Sequence, residues 1–307
     1  MHATKAQLKT KFDMTDDGDI HWLLGIKITR DQNARTISLS QKSYINSMLS
    51  HYHLERVKPV SIPMESGLKL SIKQCPSMPE EIERMKRIPY KEGIGSLLNA
   101  ALTTHPDIAF ASSVLGQFAQ NPGRNHWEAL KRFMRYLKGM SELELVLGGK
   151  PGGGLSVYSN VDFASQEHQH SISGYAVLID GGAVSWSSKK QSMITLSTTE
   201  AKYIAETHAS KEISWTRFFL NEITHPLTSP TILFSDNQGA IELTKNGQYH
   251  ARTKHINIRH FIREAVANEV LIMIHCPSED MPADIFTKPL TRVKINRFRE
   301  ELGLRSA

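Results

Sequence analysis

Leu155-Ser156-Val157-Tyr158-Ser159-Asn160, Gly174-Tyr175-Ala176-Val177-Leu178-Ile179 and Ala183-Val184-Ser185-Trp186-Ser187 are three short runs, each β-prone. Gly181-Gly182 turns the chain between the last two. Three consecutive strands with short connections predict an antiparallel meander. The period then changes. From Thr198 to Ile223 the spacing predicts a long amphipathic helix, with Tyr203, Ile204, Ile213, Phe218 and Phe219 as core candidates. Thr231-Ile232-Leu233-Phe234 predicts a buried strand, and residues 237–245 and 257–267 predict helices. Val270 to Ile274 predicts a last strand, and Pro282 to Thr287 starts a last helix. The order β-β-β-α-β-α-α-β-α predicts an α/β unit, a mixed five-stranded sheet flanked by helices.

Upstream stands Gly148-Gly149-Lys150-Pro151-Gly152-Gly153-Gly154, a linker by composition. It is a poor phosphate loop: no Gly-Lys-Ser/Thr ending follows, and a strand comes next where such loops open a helix. Before it, Trp22 to Ile28 and Thr36 to Ser40 predict strands joined by a turn at Asp31-Gln32-Asn33-Ala34. Residues 41–49 have helical spacing. Lys58 to Pro79, with four prolines, predicts an extended connection. Further helices are predicted at 90–103, 107–119 and 125–138, the last with Trp127, Leu130, Phe133, Met134 and Leu137 on one face.

At 307 residues and 34.6 kDa the chain has room for about two domains. Mean hydropathy is −0.33, and no apolar run approaches the roughly 20 residues that span a bilayer, so no membrane partner is expected. No apolar stretch follows the first residues, so no secretory signal is expected. Cys75 and Cys276 are too few for a disulfide framework or a zinc site, which predicts an intracellular, reducing compartment. The net charge of +6 is unevenly placed. Arg84 to Lys138 holds nine basic residues against three acidic ones, a surplus as large as that of the whole chain. Such a concentration suits either a polyanion such as nucleic acid or a solvated helix face.

The acids carry the chemistry. Asp236 follows a predicted strand and precedes a helix, where open α/β sheets place their ligands. Asp162 lies just past the first strand of the meander, Glu200 in the first turn of the long helix, and Asp284 in the first turn of the last. Carboxylates that converge repel unless cations lie between them, and two Mg²⁺ ions about 4 Å apart are the usual tool for cutting phosphodiesters. Each acid has a structural reading too. Ser197-Thr198-Thr199-Glu200 is a capping box, Asp236 suits a helix N-cap, and Asp284 offsets a helix dipole. Spacing leaves both readings open. The histidines between His250 and His255 read better as a basic nucleic-acid loop or plain surface than as metal ligands. His275 and Cys276, adjacent on a strand, point opposite ways.

A dense set of motifs adds more. These are Trp22-Leu23-Leu24-Gly25-Ile26, Tyr90-Lys91-Glu92-Gly93-Ile94-Gly95-Ser96-Leu97-Leu98, Thr104-His105-Pro106-Asp107-Ile108, His126-Trp127-Glu128-Ala129-Leu130-Lys131-Arg132 and Ser173-Gly174-Tyr175. Further along come Ser185-Trp186-Ser187-Ser188-Lys189-Lys190-Gln191, Leu196-Ser197-Thr198-Thr199-Glu200-Ala201, Asp236-Asn237-Gln238, Arg252-Thr253-Lys254-His255-Ile256 and Ala283-Asp284-Ile285-Phe286-Thr287-Lys288-Pro289-Leu290. With them the chain closely resembles the C-terminal part of the Pol polyprotein of copia-type LTR retrotransposons.

The resemblance implies a reverse-transcriptase C-terminal region at 1–147, the linker at 148–154, a ribonuclease H-like domain at 155–290 and a tail at 291–307. The family's Tyr-Val-Asp-Asp motif is absent, so no polymerase activity is expected. The implied ribonuclease H activity hydrolyses the RNA strand of RNA–DNA hybrids with two divalent ions, Mg²⁺ or Mn²⁺, held by four acids. Glu200, Asp236 and Asp284 match three of them. The first position departs: where the family has Tyr-Ser-Asp-Ala-Asp-Trp-Ala, this chain has Tyr158-Ser159-Asn160-Val161-Asp162-Phe163-Ala164. Asparagine is isosteric but neutral, so weak metal binding and reduced cleavage are expected. Asp162 is a partial substitute at best, about 7 Å further along the strand. Lys189, Lys190, Arg252 and Lys254 are candidates to grip the nucleic-acid backbone. The implied partners are hybrid or duplex nucleic acid and the remainder of a reverse transcriptase, and the implied place is the cytoplasm, in a virus-like particle, or the nucleus. Beside the impaired nuclease stand a non-catalytic nucleic-acid-binding remnant and a relic without function.

Overall fold

The computed structural model describes residues 2–15, 17–149, 154–166, 169–223, 225–245 and 259–306. The chain opens with α1 (His2–Lys11), β1 (Trp22–Leu23), β2 (Ile26–Asp31) and β3 (Thr36–Ser40). Asp31 Oδ1 closes the β2–β3 turn by accepting the N–H groups of Asn33 and Ala34 at 2.8 and 2.9 Å. Helices follow: α2 (Lys42–His51), α3 (Pro79–Lys86), α4 (Tyr90–Thr103), α5 (Ala109–Gly116) and α6 (Arg124–Met140). Then come β4 (Leu143–Gly148), β5 (Leu155–Asp162), β6 (Ile172–Ile179), β7 (Gly182–Lys190), α7 (Thr198–Glu222) and β8 (Thr231–Ser235). The chain continues through α8 (Gln238–Lys245), α9 (Arg259–Ala267) and β9 (Leu271–His275), then tight 3₁₀ turns at Ser278–Asp280 and Pro282–Phe286. It closes with α10 (Arg292–Glu301) and β10 (Leu304–Ser306).

These strands build two five-stranded sheets. One has the order β1-β2-β3-β4-β10 and is antiparallel throughout. The other has the order β7-β6-β5-β8-β9. Its β5, β6 and β7 form the expected meander, while β8 runs parallel to β5 and β9 parallel to β8. The mixed α/β sheet read from the sequence is therefore present. It has the ribonuclease H-like arrangement, with α7 carrying the chain from the edge strand β7 back to β8. Register does the positioning. Tyr158 lies opposite Phe234, and their rings stack at 4.7 Å. Two residues on, Asn160 and Asp236 leave the same level of adjacent parallel strands.

Five elements went unread: α1, α3, β4, α10 and β10. Helix α3 starts at Pro79, which suits a first helical position because it has no N–H to satisfy there. β4 takes in Gly148, the first residue of the glycine run, which pairs with Thr36. Residues 291–307, expected as a tail, form α10 and β10. Ile295, Phe298, Leu302 and Leu304 are buried, and β10 pairs with β4, Leu304 opposite Leu145. Their apolar spacing buries the end of the chain against the first sheet. The sheets meet where Gly182 and Gly303 let backbones touch: a Cβ at Gly182 would fall 2.5 Å from the Val146 carbonyl oxygen. Ala183 N–H donates to the Leu302 carbonyl at 2.9 Å, and the Trp186 indole to that of Ala101 at 2.7 Å. One apolar cluster holds Leu97, Phe133 and Leu137 from the first half together with Ile172, Phe286 and Phe298 from the second.

The Thr104–Ile108 motif serves this core. Thr104 Oγ1 donates to Gln41 Oε1 at 2.7 Å, and the Tyr136 hydroxyl to Asp107 Oδ2 at 2.6 Å. His105 and Asp107 are both buried beside it. Within the described residues no helix is long and apolar enough to cross a membrane.

Candidate functional site

β5 delivers Asn160, the Pro282–Phe286 turn delivers Asp284, the end of β8 delivers Asp236, and α7 delivers Lys202. The turn can reach the sheet because Gly174 lies beneath it: a Cβ there would come 2.5 Å from that of Phe286. Asn160 Nδ2 donates to Asp284 Oδ1. The Lys202 ammonium donates to Asn160 Oδ1 at 2.6 Å and also to Asp236 Oδ1. Ser278 Oγ donates to Asp236 Oδ2 at 3.0 Å. On the far side, Lys288 Nζ lies 2.8 Å from Asp284 Oδ1. The side chains of Lys202 and Asp236 are 10% and 9% exposed and that of Asp284 1%, so the centre of the network is enclosed, while Lys288 and Ser278 at its rim face solvent.

The other acids are placed differently. Glu200 turns back on its own helix start: its Oε2 accepts the Leu196 N–H at 2.9 Å, and its N–H donates to Ser197 Oγ at 3.2 Å. Asp236 is spared capping duty, because Asn237 Oδ1 accepts the Ala240 N–H at the start of α8. Asp162 is the last residue of β5 and half-buried. Burial pushes its carboxyl pKa up, with Asp284 adding to this, while a Ser165 hydrogen bond and Lys288 and Lys202 pull it down. Lys189 is exposed and Lys190 half-buried at the end of β7. Arg252 and Lys254 lie outside the described residues, as do His250 and His255.

On α7, sequence reasoning missed Lys202 and Glu206. They stand one turn apart on the α7 stripe that continues to Ala209 and Ile213, all buried. A charged residue on a core stripe is the signal that marks them. Glu206 Oε1 accepts from Ser235 Oγ at 2.5 Å. Burial pushes its carboxyl up to about 8, against the Ser235 hydrogen bond and the nearby Lys202 ammonium. The folded protein thus keeps a proton on Glu206 that the unfolded chain releases near the ordinary value of 4.5. This stabilises the fold fully below about 4.5 and is lost as pH rises toward about 8. Glu206→Gln is expected to flatten that fall. Melting temperatures from pH 5 to pH 8 check it, and equal slopes in both proteins would refute it.

A pair of divalent ions does not fit these residues. Asp236 and Asp284 reach the network, but both already engage ammonium groups. Asn160 is neutral and spends its Nδ2 as a donor, and Glu200 is committed elsewhere. Among the described residues no group of three or more His, Cys, Asp or Glu is arranged to hold a metal.

The reverse transcriptase (RNA-dependent DNA polymerase) family matches residues 1–66. The chain is 42% identical over 305 residues to the retrovirus-related Pol polyprotein from transposon TNT 1-94 of Nicotiana tabacum, covering 98% of this chain and 23% of that protein. To the Pol polyprotein from transposon RE1 of Arabidopsis thaliana it is 36% identical over 308 residues, covering 99% and 20%. It therefore spans about a fifth of the length of these curated relatives. Among solved structures, LC11-RNase H1 in complex with RNA/DNA hybrid is similar over 43% of this chain and 93% of that one, at 14% identity and TM-score 0.32. With matches to both Pol polyproteins along nearly its whole length, the chain belongs to the retrovirus-related Pol polyproteins of copia-type LTR retrotransposons.

Proposed function

We propose that the chain binds RNA–DNA hybrid through its ribonuclease H-type unit and does not hydrolyse it. One observation carries the reading. Asn160, Asp236 and Asp284 converge at the C-terminal ends of β5 and β8, as the family resemblance requires of a nuclease site, yet the first of them is neutral and donates a hydrogen bond to the last. The place of the site is kept and its charge is not. The basic surplus between Arg84 and Lys138, with Lys189 and Lys190 at the end of β7, supplies attraction for a phosphate backbone.

Hybrid with a labelled RNA strand, incubated with the full chain in Mg²⁺ or Mn²⁺, is expected to yield no product above the protein-free control. Fluorescence anisotropy in the same buffers is expected to show binding that weakens linearly in log affinity against log salt. Lys189→Ala with Lys190→Ala is expected to lower that slope by about two. Cleavage by the unaltered chain, or no binding at low salt, would overturn the reading.

A further inference from the structure

The structure assigns the Lys202 ammonium as this site's resident cation: it closes the Asn160–Asp236–Asp284 cluster as an ion network that needs and admits no divalent metal. The inference rests, for the identity of the site, on the reading above.

An oxygen census carries it. Asp236 spends Oδ1 on Lys202 and Oδ2 on Ser278. Asp284 spends Oδ1 on Asn160 Nδ2 and Lys288. Asn160 Oδ1 accepts from both Lys202 and the Val161 N–H, at 2.6 and 2.7 Å. That leaves Asp284 Oδ2, buried and without a hydrogen bond, as the one carboxylate oxygen of the pair still open. Mg²⁺ demands near-octahedral oxygen coordination and gives up its waters reluctantly, so a single buried oxygen does not hold it. Charge argues the same way. Within the hydrogen-bonded cluster two aspartates face two ammoniums across a neutral amide, with Asp162 beside them, and a dication entering it would meet Lys202 at contact distance. Lys202 cannot swing away cheaply, because its side chain lies on the buried stripe of α7 and departure strands Asp236.

It follows that restoring an acid at position 160 does not by itself create a metal site. In Asn160→Asp the new carboxylate faces the ammonium already in place and pairs with it. Metal capture requires removing the lysine as well.

Mn²⁺ titration of the full chain, followed by loss of the free-ion EPR signal, tests this without any cleavage assay. The unaltered chain and Asn160→Asp are expected to bind no stoichiometric Mn²⁺. Asn160→Asp combined with Lys202→Glu is expected to bind it at least about tenfold tighter than Asn160→Asp alone. A measurement on the unaltered chain guards against a variant that fails to fold. Its melting temperature is expected to be the same in EDTA and in Mg²⁺ at matched ionic strength. Stoichiometric Mn²⁺ on the unaltered chain, an Mg²⁺-dependent rise in its melting temperature, or Asn160→Asp binding as tightly as the double variant would overturn the assignment. Hybrid binding in EDTA, run in parallel, separates the two claims. Its loss would sink the hybrid-binding reading and leave the resident-cation result standing on its own data.

Discussion

Lys202→Met is expected to lower the melting temperature by about 10 °C. The substitution keeps most of the aliphatic stem on the α7 stripe and deletes only the ammonium. Asp236 Oδ1 then loses its ion partner, and Asn160 Oδ1 keeps only the Val161 N–H. Removing one member of a buried ion pair typically costs about 3–5 kcal/mol, because the other charge stays buried and unpaired. In a domain of roughly 150–250 residues each kcal/mol moves the midpoint by about 2–4 °C. Lys288→Met is the comparison. Lys288 touches Asp284 at 2.8 Å, but its side chain is 40% exposed. Water and salt screen the pair, and its loss is expected to cost no more than about 1 kcal/mol. Thermal denaturation of both variants checks the contrast. Equal shifts, or no shift for Lys202→Met, would show that burial of the 202–236 pair does not govern its energy.

Phe298→Ala is expected to cost about 3–5 kcal/mol, the usual range for emptying a buried phenyl site. Phe298 has no exposure and belongs to the apolar cluster that joins the two sheets. Helix α10 packs on the turn that carries Asp284, and β10 extends the first sheet beyond β4. One cavity there therefore loosens the first sheet and the site together. Calorimetry is expected to show a single transition shifted downward by about 10 °C. Two separated transitions, with the second sheet melting at its original temperature, would mean that the units fold independently.

Much of this molecule was legible because its signals are local. The β5–β7 meander, the long α7 and the β8–α8 step follow from period, glycine turns and strand composition. The convergence of Asn160, Asp236 and Asp284 followed from the family resemblance, and parallel pairing of β5 with β8 accounts for it. What escaped had no local signature. β10 is a three-residue strand that exists only because β4 offers it an edge. α3 hides behind a proline that reads equally well as a loop. Glu200 looked like a site residue by spacing, and whether its carboxylate faces the sheet or its own helix start is a matter of side-chain rotamer.

By itself the sequence determined the order of strands and helices from β5 to β9, the α/β class of that unit and the neutral side chain at position 160. These depend on residue type and on neighbours a few positions away. Only the tertiary structure decided that Lys202 stands among the acids. Its partners are 42 and 34 residues distant, and pairing over that range is set by how α7 lies across the sheet. The physical reason is burial. A lysine in water is an ordinary surface charge, whereas one enclosed against Asp236 and Asn160 must be paired, and so determines which cation the site can hold.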